Sequence, residues 1–195
     1  MVVFDTSILT LAFDPNSKPP VDPNTELPVT DCQARLDYLI KTLTKTKQRV
    51  LIPTPVLAEY LVRAGADKDK RFEIIVGSRV FVVSPFDTRA AVECASIEDK
   101  DGRRIRAVPE AESKAKVKFD RQIIAIAIAR GANTIYTGDI GLASRAKRSG
   151  LNVVMTWELD LPPVEPQLEL ELPTGVDESD IAQFPLAAYP EGGSF

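Results

Sequence analysis

Residues 119–139 read FDRQIIAIAIARGANTIYTGD. Every side chain from Ile123 to Ala129 is apolar. The segment therefore has no polar face there and reads as a helix buried almost all round. Gly131 closes it. The NTIYT that follows contains a short strand, and Gly138 and Asp139 end it. Outward from this unit the alternation repeats. Apolar runs at 2–4 (VVF), 49–52 (RVLI), 79–83 (RVFVV) and 151–154 (LNVV) read as strands. Strands alternating with helices imply a parallel sheet in an α/β fold. Ligands of such sheets sit beyond the carboxyl ends of the strands.

The intervening stretches carry helix signals. Thr30 with Gln33 fits a capping box ahead of Leu36, Leu39, Ile40 and Leu43 at helical spacing. Thr54 is placed as an N-cap with Pro55 at the first helical position, and Gly65 ends that helix. A short helix is predicted over Asp67–Val76. Asp87 is expected to cap one running to about Ile97, and 140–149 forms another. Residues 14–30 hold five prolines and read as an irregular loop. The charged stretch 98–116 reads as a loop or arm. Residues 1–157 form one expected domain, and 158–195 an acidic, proline-rich tail.

Composition narrows the chemistry. With 44% hydrophobic and 27% charged residues, the 195-residue chain is of globular type. No apolar run approaches the roughly 18 residues of a membrane span. The N-terminus lacks the pattern of a signal peptide. Cys32 and Cys94 make neither a disulfide framework nor a zinc spacing, so a cytoplasmic protein away from membranes is expected. There is no histidine, which excludes imidazole base catalysis and histidine metal ligands. The net charge of −4 is segregated: residues 100–150 hold twelve Lys and Arg against five acids, whereas 158–195 holds nine acids and no base. The basic block is either a phosphate-backbone surface or a solvated helix face.

Four carboxylates stand out. Asp5 ends the first strand, where Thr6 and Ser7 can hydrogen-bond it; it is equally placed to cap a following helix. Glu59 lies among apolar helix neighbours, with Arg63 four residues on as an ordinary ion-pair partner. Asp120 precedes the buried helix and is either its N-cap or a ligand. Asp139 follows a strand and fits the N-cap of the next helix. Gathered at one sheet edge, four carboxylates repel, and a divalent cation resolves that conflict. Oxygen donors without His or Cys select Mg²⁺ or Mn²⁺.

The ordered set VFDTS with Asp5, IPTPVLAEY with Glu59, FDRQIIAIAIARG with Asp120 and IYTGD with Asp139 resembles the PIN domain, the ribonuclease fold of VapC-type toxins. The resemblance covers roughly residues 1–155. It implies a three-layer α/β/α domain with a five-stranded parallel sheet of order 3-2-1-4-5. It implies metal-dependent endoribonuclease activity, with Asp5, Glu59, Asp120 and Asp139 holding Mg²⁺ or Mn²⁺ and Ser7 orienting the phosphate or the water. A metal-activated water would leave a 5′-phosphate and a 3′-hydroxyl. RNA would bind Arg103, Arg104, Arg106, Lys114, Lys116, Lys118, Arg121, Arg145, Lys147 and Arg148. An antitoxin protein and a homodimer are the implied partners. Many family members carry a further acid two residues after the Asp139 position, where this chain has Gly141. Two other readings stand beside it: a PIN-like domain that binds without catalysis, and a haloacid-dehalogenase-like phosphatase using Asp5 as nucleophile. The second lacks its general acid, because Ser7 stands where an Asp is needed. The acidic tail either solubilises the protein or folds over the basic block and competes with RNA.

Overall fold

The computed structural model describes residues 1–14, 16–102 and 113–163. A first compact unit spans Met1–Pro162. Its sheet has five parallel strands: β1 (Val2–Phe4), β2 (Val50–Pro53), β3 (Phe81–Ser84), β4 (Thr134–Thr137) and β5 (Asn152–Met155). Their order is β3-β2-β1-β4-β5, as the resemblance implied. Val2 pairs with Val50 on one side and with Thr134 on the other. The central strands β1 and β2 are buried throughout, whereas the edge strand β5 begins exposed. That gradient explains the unbroken apolar runs of VVF and VLI, since a parallel strand covered on both faces has no solvent side to mark.

Seven α-helices flank the sheet among the described residues: α1 (Thr6–Phe13), α2 (Cys32–Lys45), α3 (Thr54–Ala64), α4 (Lys68–Gly77), α5 (Thr88–Gly102), α6 (Lys114–Ala129) and α7 (Ile140–Arg148). Within IIAIAIA of α6, Ile124, Ala125, Ile126 and Ala127 are all at 0% exposure and Ile128 is partly buried. Gly65 ends α3 at φ +56°, a left-handed turn that favours glycine. Phe4, Tyr136, Phe81, Phe13 and Tyr60 form a chain of ring contacts, with centroids 5.6 to 6.4 Å apart.

Four local expectations are corrected. The capping box at Thr30 does not form: Asp31 begins α2 at φ +55° without a side-chain cap, and Gln33 donates to Asp37 instead. Thr54 is the first residue of α3, with Pro53 as N-cap. Asp87 does cap the next helix, accepting from Ala90 N at 3.0 Å, but α5 continues to Gly102. Charge alone does not stop a helix, because Glu and Lys are good helix formers. Asp120 is no N-cap either. Ser113 caps α6, its hydroxyl accepting from Lys116 N, and Asp120 lies two turns inside. Arg103, Arg104 and Arg106 of the expected arm, and the tail beyond Pro163, lie outside the described residues. Leu159, early in the expected tail, is buried and its carbonyl accepts from Arg35. Among the described residues no helix is long and apolar enough to cross a membrane.

Candidate active site

The carboxyl edge of the sheet collects short polar side chains because β1, β4 and β5 all run out there. β1 ends at Phe4, and Asp5 follows in extended backbone as the N-cap of α1. Its Oδ1 accepts from Ile8 N at 3.1 Å and from the Ser7 hydroxyl at 2.6 Å. The Phe4–Tyr136 register brings Asp5 opposite Thr137, whose hydroxyl donates to Asp5 Oδ2. Thr137 Oγ1 also accepts from Asp139 N at 2.9 Å. Ser7 Oγ accepts from Gly138 N at 2.7 Å. A Cβ on Gly138 would stand 3.1 Å from Ser7 Oγ and 3.4 Å from Thr156 Oγ1, so any larger residue there would press on Ser7.

Asp139 caps α7, accepting from Gly141 N at 2.7 Å and Leu142 N at 3.1 Å. Lys116 Nζ reaches its Oδ2 at 2.7 Å. Burial works against its charge, but Lys116 and the two helix N–H groups outweigh burial and hold the carboxyl below its ordinary range. Asp120 is buried, and its Oδ2 accepts from Arg145 Nε at 3.0 Å and from Arg145 Nη2. There burial wins: it pushes Asp120 up, against the pull of Arg145 and Lys116 and with the repulsion of Asp139. Glu59, half-exposed on α3, accepts from the Thr6 hydroxyl at 2.7 Å and from Arg63 at 2.6 Å.

Asp5 differs from its neighbours in one respect. It is 5% exposed, yet its hydrogen-bond partners are two hydroxyls and one backbone N–H, none of them a cation. Burial raises its pKa from 3.8 to about 6; these three donors lower it, and the charge on Asp139 adds to the rise. The repulsion felt by Asp5 and Asp120 from Asp139 ties the three acids to one locality. Glu59 joins them through Thr6, the residue after Asp5.

The four sequence-derived acids thus stand along one edge, each turned toward a protein partner. No group of three or more Asp, Glu, Cys or His side chains is arranged to hold a metal ion among the described residues. The donor chemistry nonetheless fits a hard divalent cation. Its possible donors are carboxylate and hydroxyl oxygens; Lys116 and Arg145 occupy Asp139 and Asp120, and Asp5 is a buried carboxylate without a counter-charge. Both N-cap alternatives at Asp5 and Asp139 are real, as is the Glu59–Arg63 pair.

Of the expected RNA contacts, Lys114, Lys118, Lys147 and Arg148 are exposed and Arg121 is partly so. Lys116 is exposed and paired with Asp139. Arg145 is buried against Asp120, because it shares the inward face of α7 with Leu142 and Ala146. That spacing was visible in LASRA. Thr137 was missed because only the strand register shows that it meets Asp5. Nothing in the sequence pointed to Thr156.

No family model and no curated protein sequence matches the chain. The structure is similar to that of VapBC2 from Rickettsia felis bound to a DNA fragment from its promoter (17% identity, TM-score 0.52, 80% of this chain and 98% of that one). It is similar to FitAB bound to the IR36 DNA fragment (19%, TM-score 0.50, 85% and 100%). It also resembles DNA-bound VapBC from Salmonella typhimurium (18%, TM-score 0.50, 80% and 97%). At these identities the likeness is one of fold, and the architecture is the PIN-like α/β/α fold.

Proposed function

We propose that this chain is a divalent-metal-dependent endoribonuclease of the PIN type, acting as the toxin of a toxin–antitoxin pair. The observation that carries this reading is Asp5: a buried carboxylate with only neutral hydrogen-bond partners, beside Asp139 at the carboxyl edge of a PIN-like sheet. Asp5, Glu59, Asp120 and Asp139 would hold Mg²⁺ or Mn²⁺. When bound, the ion would activate water for phosphodiester hydrolysis and offset charge on the phosphoryl oxygens. Ser7 and Thr137 fix both oxygens of Asp5, so the carboxylate cannot turn away from the edge. Lys116 and Arg145 stand on Asp139 and Asp120 and offset their charges.

RNA would lie across Lys114, Lys118, Lys147 and Arg148, with Arg103, Arg104, Arg106 and Arg121 extending the same basic block. Such contacts are salt-dependent and blind to sequence. An antitoxin partner is supported by the resemblance and by the VapBC assemblies among the similar folds; a homodimer rests on the resemblance alone.

A second reading, a binding module without turnover, is favoured by the protein partner that each acid already has. Two assays separate them: calorimetric Mn²⁺ titration of wild type, Asp5→Asn and Asp139→Asn, followed by cleavage of end-labelled RNA with and without Mn²⁺. Saturable binding lost in both variants, with Mn²⁺-dependent cleavage, supports the nuclease. Binding without cleavage supports the module. Wild type that binds no Mn²⁺ ends the metal reading.

A further inference from the structure

The hydroxyl of Thr156 stands at this edge, and the site described above leaves it unused. Thr156 follows directly on β5 and is 2% exposed. Its Oγ1 is buried and has no hydrogen-bond partner among the described residues. A buried hydroxyl without a partner is unfavourable, and native structures seldom keep one without a reason. Its location supplies the reason. Thr156 Oγ1 and Ser7 Oγ flank Gly138 at the point where a Cβ would meet both. Ser7 Oγ spends its proton on Asp5 Oδ1 and takes one from Gly138 N, which leaves one of its acceptor lone pairs open. Thr156 offers a donor and two acceptor sites beside it.

We propose that Thr156 is a positioning residue that holds a water of the hydrated divalent cation at Asp5. This rests on the metal reading above. Mg²⁺ in particular keeps several of its waters when carboxylates bind it, and those waters need partners in the protein. Thr156, just after β5, and Ser7, in the first turn of α1, supply them, with Gly138 providing the room. Thr156 therefore acts through water, and on the cation rather than on the substrate.

The test uses the full chain with Mn²⁺ as probe, comparing Thr156→Val, which keeps the shape and removes the hydroxyl, with Thr156→Ser, which keeps the hydroxyl. Without metal, Thr156→Val should melt at or above the wild-type temperature, because an unpartnered hydroxyl has been removed. Its Mn²⁺ affinity by calorimetry should fall about tenfold, the lower end of the effect of outer-shell partners, while Thr156→Ser stays within about twofold of wild type. A Thr156→Val variant that binds Mn²⁺ like wild type overturns the proposal. So does one that melts well below wild type without metal, because the hydroxyl would then serve the fold. Equal weakening in both variants also overturns it, assigning the effect to packing. Wild type that binds no Mn²⁺ fails at the earlier step and brings down the metal reading itself.

Discussion

Arg145→Met should destabilise the metal-free domain by about 3 kcal/mol or more at pH 7. Both members of the Arg145–Asp120 pair are under 10% exposed, and the guanidinium donates from two nitrogens to one carboxylate oxygen. Removing one partner of such a pair leaves a buried charge, at a typical cost of about 3–5 kcal/mol. For a domain of this size that is a fall in melting temperature of about 6–20 °C, at about 2–4 °C per kcal/mol. Met matches the length of the arginine stem, which limits the cavity term. Asp120 has an escape, because it can take a proton. Burial already holds its pKa up against the pull of Arg145, and without the arginine it rises further. A carboxyl whose folded pKa exceeds its unfolded pKa costs stability above both values, and that cost fades as pH falls toward the unfolded pKa. The variant should therefore recover as pH drops from 7 to 5, by up to about 1.4 kcal/mol per pH unit. Thermal unfolding across that range, with Arg63→Met as the exposed comparison, reads both effects. The Arg63–Glu59 pair is 58% and 49% exposed, so its loss should cost under about 1 kcal/mol. If Arg145→Met also costs under 1 kcal/mol, or its cost is the same at pH 5 and pH 7, the buried-charge reasoning is wrong.

Asp5 should make the metal-free protein less stable as pH rises from about 4 to 7. A shift from 3.8 to about 6 corresponds to about 3 kcal/mol, and chemical denaturation of Asp5→Asn should show that slope removed. Gly138→Ala should push Ser7 off Asp5, costing about 1–3 kcal/mol and weakening Mn²⁺ binding; an alanine variant with wild-type stability and affinity would show that Ser7 is free to move. Lys116→Gln should change stability by under about 1 kcal/mol, because the pair with Asp139 is partly exposed. Its Mn²⁺ affinity should rise, since a competing cation has left Asp139; unchanged affinity in calorimetry would separate Lys116 from the site.

The sheet was legible because its strands announce themselves by apolar runs and its helices by caps and glycines. Strand order came only with the resemblance, since no local signal says that Val2 lies between Val50 and Thr134. The acids were found because an ionisable group after a buried run is conspicuous. Their counter-ions were not, because a Lys or Arg in a basic block looks like every other member of that block. Lys116 and Arg145 are distinguished only by the helix face that they share with buried residues. Thr137 and Thr156 depend on strand register, which no stretch of the sequence encodes by itself.

The hydrogen bond from Thr137 to Asp5 joins residues 132 positions apart. One of its partners follows β1 and the other ends β4, with β2, β3 and helices α1 to α6 between them. β1 can pair with β2 early, but its other edge waits for β4, and pairing over such a separation is slow. Until then Asp5 has no Thr137, Ser7 has no Gly138 and Asp139 does not yet exist. A chain cut short before residue 134 therefore keeps Asp5, Glu59 and Asp120 but lacks Thr137, Gly138 and Asp139. The surroundings of Asp5 are complete only once β4 has joined the sheet.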